Sequence, residues 1–201
     1  GKTPTTMALV QHLQAQGVRV GVISRGHGRA SAACLAVTSA SYATDVGDEP
    51  LLIHLRTQVP VFVAKQRAQA GLALLQAHPD TQLLVCDDGL QHLALAADLT
   101  LCVFDERGVG NGWLLPAGPL REPWPKAVDW CLQIGVAEQA RAHQIAAACQ
   151  AKRQLANCAV DAQGRRVLLA DLRNRVVVAF AGIAKPEVFF SDLRAQGVVP
   201  N

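Results

Sequence analysis

The chain opens Gly1-Lys2-Thr3-Pro4-Thr5-Thr6-Met7-Ala8-Leu9-Val10-Gln11-His12-Leu13, and a short turn later continues Arg19-Val20-Gly21-Val22-Ile23-Ser24. The first segment reads as a helix. Pro4 suits a first turn, where its missing N–H is not needed, and Met7, Val10 and Leu13, with Leu9, form one apolar face at helical spacing. The second segment reads as a buried strand. Gly1-Lys2-Thr3 matches the end of the phosphate-binding loop G-x-x-x-x-G-K-[ST], in which backbone N–H groups cradle phosphates, the Lys reaches the β/γ-phosphates and the hydroxyl binds Mg²⁺. Such a tripeptide also arises by chance. Here it runs directly into a helix, whose N-terminus stabilises an anion through free N–H groups and the dipole.

Further short apolar runs alternate with helical stretches. Strands are expected at 59–63, 83–87, 99–105 and 130–134, and helices at 49–56 and 65–78. Strand–helix–strand alternation with continuous apolar strands predicts an α/β fold, a P-loop NTPase-like, mostly parallel sheet with helices on both faces. Functional groups then belong at the carboxyl ends of the strands, where Ser24, Asp87, Asp88 and Asp105 stand. Residues 138–154 read as a helix, 161–164 as a turn, 165–175 as short strands, 176–182 as a new strand and the residues from 186 as a helix. The expected organisation is a core domain over 1–160, a hinge at 161–175, and the start of a second, smaller α/β domain over 176–201.

The 201 residues are 50% hydrophobic, enough for a substantial core. A net charge of +3 with no Lys/Arg run, and only 4% aromatics, argue against a nucleic-acid partner. None of the six cysteines forms a C-x-x-C pair, so a zinc or redox centre has little support and a reducing compartment fits. No apolar stretch is long enough to span a membrane.

Three segments carry candidate chemistry. Asp87-Asp88 ends an apolar strand in the manner of an acid that binds or orients Mg²⁺; the alternative is a pair of acids capping a helix that starts near Gly89. Gln91 and His92 follow within a turn. Gly47-Asp48-Glu49-Pro50 places two acids at a helix start, either as an N-cap and first-turn pair or as a general base near a γ-phosphate. Residues 105–123 form a long Gly/Pro-rich loop, a kind that is often functional. Its Arg121 and Glu122 can reach phosphate and metal, or form a surface ion pair.

The ordered set GKTP, SRG, VGDEP, DDGLQH, FDERGVGNGWLLPAGPLREP and FAGIAKPEVFF resembles the tetraacyldisaccharide 4′-kinases, the lipid A 4′-kinases of Gram-negative bacteria, across nearly the whole chain. The resemblance implies an atypical P-loop kinase at the cytoplasmic face of the inner membrane. It would act as a monomer, moving the γ-phosphoryl of ATP, with Mg²⁺, to the 4′-hydroxyl of an acylated glucosamine disaccharide 1-phosphate to give lipid IVA. It implies catalytic roles for Asp48 as base, Lys2 and Asp88. Nucleotide binding falls to Gly1, Lys2, Thr3, Pro4, Glu49 and Arg67, and metal binding to Thr3, Asp87, Asp88, Gln91 and Glu122. His27 departs from the family's usual Tyr. The glycine-rich start of the loop, the family's N-terminal membrane-associating helix and a downstream His motif are not among these residues. The 201-residue piece alone is therefore expected to show little or no kinase activity, and membrane binding would run through segments outside it.

Overall fold

The computed structural model describes residues 2–135, 148–183 and 186–201. Gly1 and most of the helix expected at 138–154 lie outside the described residues. The chain divides into two compact units, Gly1–Gln150 and Ala151–Asn201. The hinge expected at 161–175 falls inside the second unit, on a turn, a short strand and a 3₁₀ helix.

In the first unit, β1 (Val20–Ser24) lies between β3 (Val61–Val63) and β4 (Leu83–Cys86), parallel to both, while β2 (Leu35–Val37) adds antiparallel to the far edge of β3. Alternation along the strands divides the core between two faces. Val20, Val22, Val61 and Val63 share a cluster with Val10 of α1 (Lys2–Ala15), Val46 of α2 (Ala43–Val46) and Ile53 of α3 (Asp48–Thr57). Ile23 and Phe62 point the other way and pack with Ala70 and Leu74 of α4 (Arg67–Ala77). The sheet is thus covered on both sides, as its unbroken apolar strands require. Gly21 lets α4 approach, since a Cβ there would lie 2.7 Å from a Leu74 methyl.

β5 (Leu101–Phe104) and β6 (Trp130–Ile134) pair in parallel, with β7 (Ala148–Ala151) beside β6. The expectation of a mostly parallel α/β architecture holds, distributed over two sheets. In the second unit, β8 (Cys158–Val160) and β9 (Arg166–Leu168) form an antiparallel hairpin. A small core of Leu169, Leu193 and Val198 is closed by α5 (Pro186–Ala195).

Four local expectations are corrected. Leu9 is on the outer side of α1, 36% exposed, whereas Val10 is fully buried. No helix starts at Gly89: Asp88 has φ 53, and the backbone from Asp87 runs through successive turns. Residues 148–151, expected in a helix, form β7. The strand expected at 176–182 is a single bridge between Val177 and Pro200, because no neighbouring strand among the described residues supplies a longer ladder.

Candidate functional site

The parallel strands β1, β3 and β4 all release their loops at one end of the sheet, and the candidate side chains gather there. The first residues of α1 lie against the loop after β4. Lys2 Nζ forms an ion pair with Asp88, and Thr6 Oγ1 donates to Asp87 Oδ1 at 2.8 Å. From α3, Glu49 Oε1 accepts from Thr3 Oγ1 at 2.8 Å. From the long loop, Arg121 Nη1 reaches both Asp88 oxygens, at 3.1 and 3.0 Å. Four segments distant in sequence thereby bring Lys2, Thr3, Glu49, Asp87 and Asp88 together, with Thr6 and Arg121 as additional members.

The left-handed conformation of Asp88 is what separates the two acids. Asp87 turns inward, 3% exposed, with its backbone N–H donating to the Ile23 carbonyl at 2.9 Å. Asp88 turns toward the cations. Burial pushes the Asp87 carboxyl above the usual carboxylate range; the Thr6 hydroxyl pulls it back, and the charges of Glu49 and Asp88 push it further up. Burial acts on Asp88 in the same sense, but the Lys2 and Arg121 contacts outweigh it and hold its carboxyl below the usual range.

A second group sits on the same two loops. Gln91 Nε2 donates to Glu122 Oε1 at 2.7 Å, and Lys126 Nζ donates to Glu122 Oε2 at 2.5 Å and to the Leu90 carbonyl at 3.3 Å. The Lys126 contact, seconded by Gln91, holds the Glu122 carboxyl below its usual range. Consecutive residues Arg121 and Glu122 thus grip the β4 loop at Asp88 and at Gln91. Glu122 has both oxygens engaged in this second group rather than beside Asp87.

Arg67 is buried, 6% exposed, at the first turn of α4. Its Nη2 makes a long contact, 3.4 Å, with the Asp88 carbonyl, and its Nε has no partner. Its charge therefore supports the β4 turn from beneath. Pro4 is exposed in the first turn of α1. Asp48 is exposed at the first residue of α3; the N-cap is Gly47, so the capping role open to Asp48 falls to its neighbour.

Gly47 also explains what lies beside Asp48. It has φ 92 and packs against the loop after β1, where a Cβ would lie 2.9 Å from Gly26 Cα. That loop, with Lys65 from the loop after β3, lines an open cavity of about 350 Å³ that includes Arg25, His27 and Arg29. Arg29 Nη2 is buried without a partner. The cavity is strongly cationic and its wall touches the residue preceding Asp48, so it suits an anionic group on whatever approaches Asp48. The sequence reading passed over Arg25, Arg29, Lys65, Lys126 and Thr6. For Arg25 and Lys65 a signal existed, since each closely follows the carboxyl end of a parallel strand.

The donor set fits a small divalent cation held partly by phosphate. Glu49, Asp87 and Asp88 set three carboxylates against Lys2 and Arg121, with Arg67 beneath the turn, and burial first, then the charges of Glu49 and Asp88, hold the Asp87 carboxyl above its usual range. Among the described residues no three His, Cys, Asp or Glu side chains converge to hold an ion unaided. An ion of the Mg²⁺ type takes one or two protein carboxylates and completes its shell with water and phosphate. Thr3, Asp87 and Asp88 offer oxygens of that kind.

The sequence profile of the family described as tetraacyldisaccharide-1-P 4′-kinase matches residues 1–201. A tetraacyldisaccharide 4′-kinase of Acidovorax ebreus is 57% identical over 201 residues, covering 100% of this chain and 58% of the relative. That of Delftia acidovorans is 50% identical over 196 residues, covering 98% of this chain and 57% of the relative. A crystal structure of an "apo" form of LpxK from Aquifex aeolicus in complex with ATP superposes with a TM-score of 0.83 at 28% identity, covering 100% of this chain and 65% of that one. The chain spans a little under three-fifths of the length of these curated relatives.

Proposed function

This chain belongs to the tetraacyldisaccharide-1-P 4′-kinase family, and we propose that it forms the nucleotide-binding core of an enzyme that transfers the γ-phosphoryl group of ATP to the 4′-hydroxyl of an acylated glucosamine disaccharide 1-phosphate. The carrying observation is the convergence of Lys2, Thr3, Asp87, Asp88 and Arg121 at the carboxyl end of the sheet, where α1 presents its N-terminus. The likeness to a 28%-identical structure described as an ATP complex supports the same reading.

In this proposal the N-terminal turn of α1, with Gly1, Thr3 and Pro4, receives the phosphates, and Lys2 and Arg121 neutralise oxygens of the transferring group. Thr3, Asp87 and Asp88 would hold Mg²⁺, which would supply positive charge to offset that of the phosphates. Glu49 orients the Thr3 hydroxyl. Gln91 and Glu122 fix the shape of the β4 loop, and Arg67 supports it from below. A sugar hydroxyl is too weak an acid to be ionised by a carboxylate beforehand. Asp48 therefore orients that hydroxyl and accepts its proton late, as the bond to phosphorus forms. The cationic cavity of Arg25, Arg29 and Lys65, adjoining Gly47, receives the acceptor's own phosphate. The acceptor's acyl chains place the reaction at a membrane surface. No helix among the described residues is long and apolar enough to cross one.

The test is transfer of labelled γ-phosphate from ATP to tetraacyldisaccharide 1-phosphate in detergent micelles by the full-length protein. A labelled lipid carrying one added phosphate, lost in Asp48→Asn, is the expected result. A folded, ATP-binding protein that labels only a soluble metabolite, or releases phosphate to water alone, would refute the assignment.

A further inference from the structure

β5 and β6 run in parallel with Cys102 directly opposite Cys131. Residues paired across a ladder point to the same face, and neighbouring strands lie about 4.8 Å apart, so the two thiols are side by side. Burial pushes both thiols up, Cys102 to about 11, and each then acts on the other. Cys131 is buried, whereas Cys102 is only partly covered and leaves a way in. Phe104, two residues on and therefore on the same face as Cys102, packs edge-on against Trp124 with ring centres 4.9 Å apart. Cys102 also feels the charges of Glu122 and Lys126. Residues 122–126 thus form a strap across the face that carries the two thiols, and the strap holds the β4 loop through the bond from Gln91 to Glu122.

Among the described residues no third His, Cys, Asp or Glu joins the pair to make a larger metal-binding group. Zinc, which takes four ligands in structural sites, is poorly served by such a pair. Two thiolates suit instead a soft cation such as Cu⁺, for which sulfur is a preferred donor. We propose that Cys102 and Cys131 form a two-thiolate site for a soft monovalent cation, and that filling it loosens the strap from the β4 loop. Binding turns two thiols and one cation into a bis-thiolate complex and releases two protons to solvent; no electron is transferred. The site changes from neutral to singly negative. In a partly buried setting that charge draws Lys126 away from Glu122, whose Oε2 it holds at 2.5 Å, and repels the Glu122 carboxylate. Glu122 then loses its place against Gln91.

The test is anaerobic titration of the full-length protein with Cu⁺ against a colorimetric Cu⁺ chelator, with amide hydrogen exchange followed alongside. Neither readout needs turnover, so both stand apart from the kinase reading. Wild type takes Cu⁺ from the chelator. Losing an outer-shell partner of a metal ligand costs about 10–100-fold in affinity, so losing a ligand outright, in Cys102→Ser, predicts a weakening of about a hundredfold or more. Cys102→Ala, at the same partly covered position, is the second variant. Cys149→Ser removes an exposed thiol outside the pair and binds as wild type does. Bound Cu⁺ speeds exchange at residues 90–92 and 121–127 in wild type and Cys149→Ser, and leaves it unchanged in the two Cys102 variants. Equal uptake by wild type and both Cys102 variants overturns the site. Uptake that depends on Cys102 but leaves exchange at those residues unchanged overturns the link to the strap.

Discussion

Replacing Gly47 by Ala tests whether one backbone contact sets the position of Asp48. Gly47 lies at φ 92 and ψ 148, a region essentially closed to residues with a Cβ. Forcing Ala into it costs about 1–3 kcal/mol. The added Cβ would also lie 2.9 Å from Gly26 Cα and 3.1 Å from Gly26 C. Both are main-chain atoms, so no flexible side chain can swing away. Restoring an ordinary contact of roughly 3.5 Å moves one of the two segments by about half an ångström. Overpacking of this kind costs about a further 1–3 kcal/mol. The sum, about 2–6 kcal/mol, corresponds to a fall in Tm of roughly 5–15 °C. The moving segments carry Asp48 on one side and the cationic loop on the other. A misplacement of about 1 Å can cost on the order of a hundredfold in rate, so half that distance predicts a loss of at least about tenfold in kcat. Gly17→Ala is the reference: φ is 79, but nothing lies within 4 Å of the new Cβ. It loses roughly 1–2 kcal/mol from the backbone alone and keeps its kcat. Melting curves and phosphoryl transfer at saturating MgATP, both on the full-length protein, read the two effects. A Gly47→Ala protein that melts no lower than Gly17→Ala and turns over at the parental rate would show that this contact does not place Asp48.

Leu74 is fully buried under β1, so Leu74→Ala opens a cavity and costs about 3–5 kcal/mol in urea denaturation. Asp87→Asn should raise the Tm of the nucleotide-free protein at pH 7 while abolishing transfer, because the fold makes ionised Asp87 costly. The sign follows from the direction of its shift. The wild-type acid is destabilising while ionised, so the gain shrinks as pH falls through the raised value and is gone below the ordinary aspartate pKa of about 3.9; melting curves across pH check this. Exposed Cys149 should react first with iodoacetamide at pH 7.5, followed only on unfolding by Cys102, whose thiol burial pushes up to about 11, and by buried Cys131. Mass spectrometry of the labelled peptides gives the order.

The central sheet was legible because its signal is redundant. The valines of β1 and β3 are apolar on both faces, and parallel strands between helices leave few other arrangements. The Gly47–Glu49 segment was legible as a helix start but not as a contact, since the neighbour at Gly26 is 21 residues away in sequence. Asp87-Asp88 read as metal-binding acids, with caps of a helix at Gly89 as the alternative. The left-handed turn at Asp88 decides against that helix, and nothing in the side chains announces it. Thr6 and Lys126 were missed for simpler reasons. Thr6 bonds a carboxylate 81 residues away, which only the folded chain brings close; Lys126 pairs with Glu122 four residues earlier, a spacing that signals an ion pair within a helix, and residues 122–126 form none. Val176-Val177-Val178 illustrates the reverse error: high strand propensity forms no strand without a partner along its length.

The grip of Arg121 and Glu122 on the β4 loop has an electrical consequence. Residues 105–126 contain three acids, Asp105, Glu106 and Glu122, and three bases, Arg107, Arg121 and Lys126. The segment is therefore a strong multipole with no monopole. Shifting it redistributes field within a few ångströms of Asp88 and Gln91, yet leaves the far field of the molecule unchanged. Long-range attraction of an anionic ligand, and the salt dependence of its arrival, would then be the same whether this segment is seated or displaced. Its position would register only in how long the ligand stays.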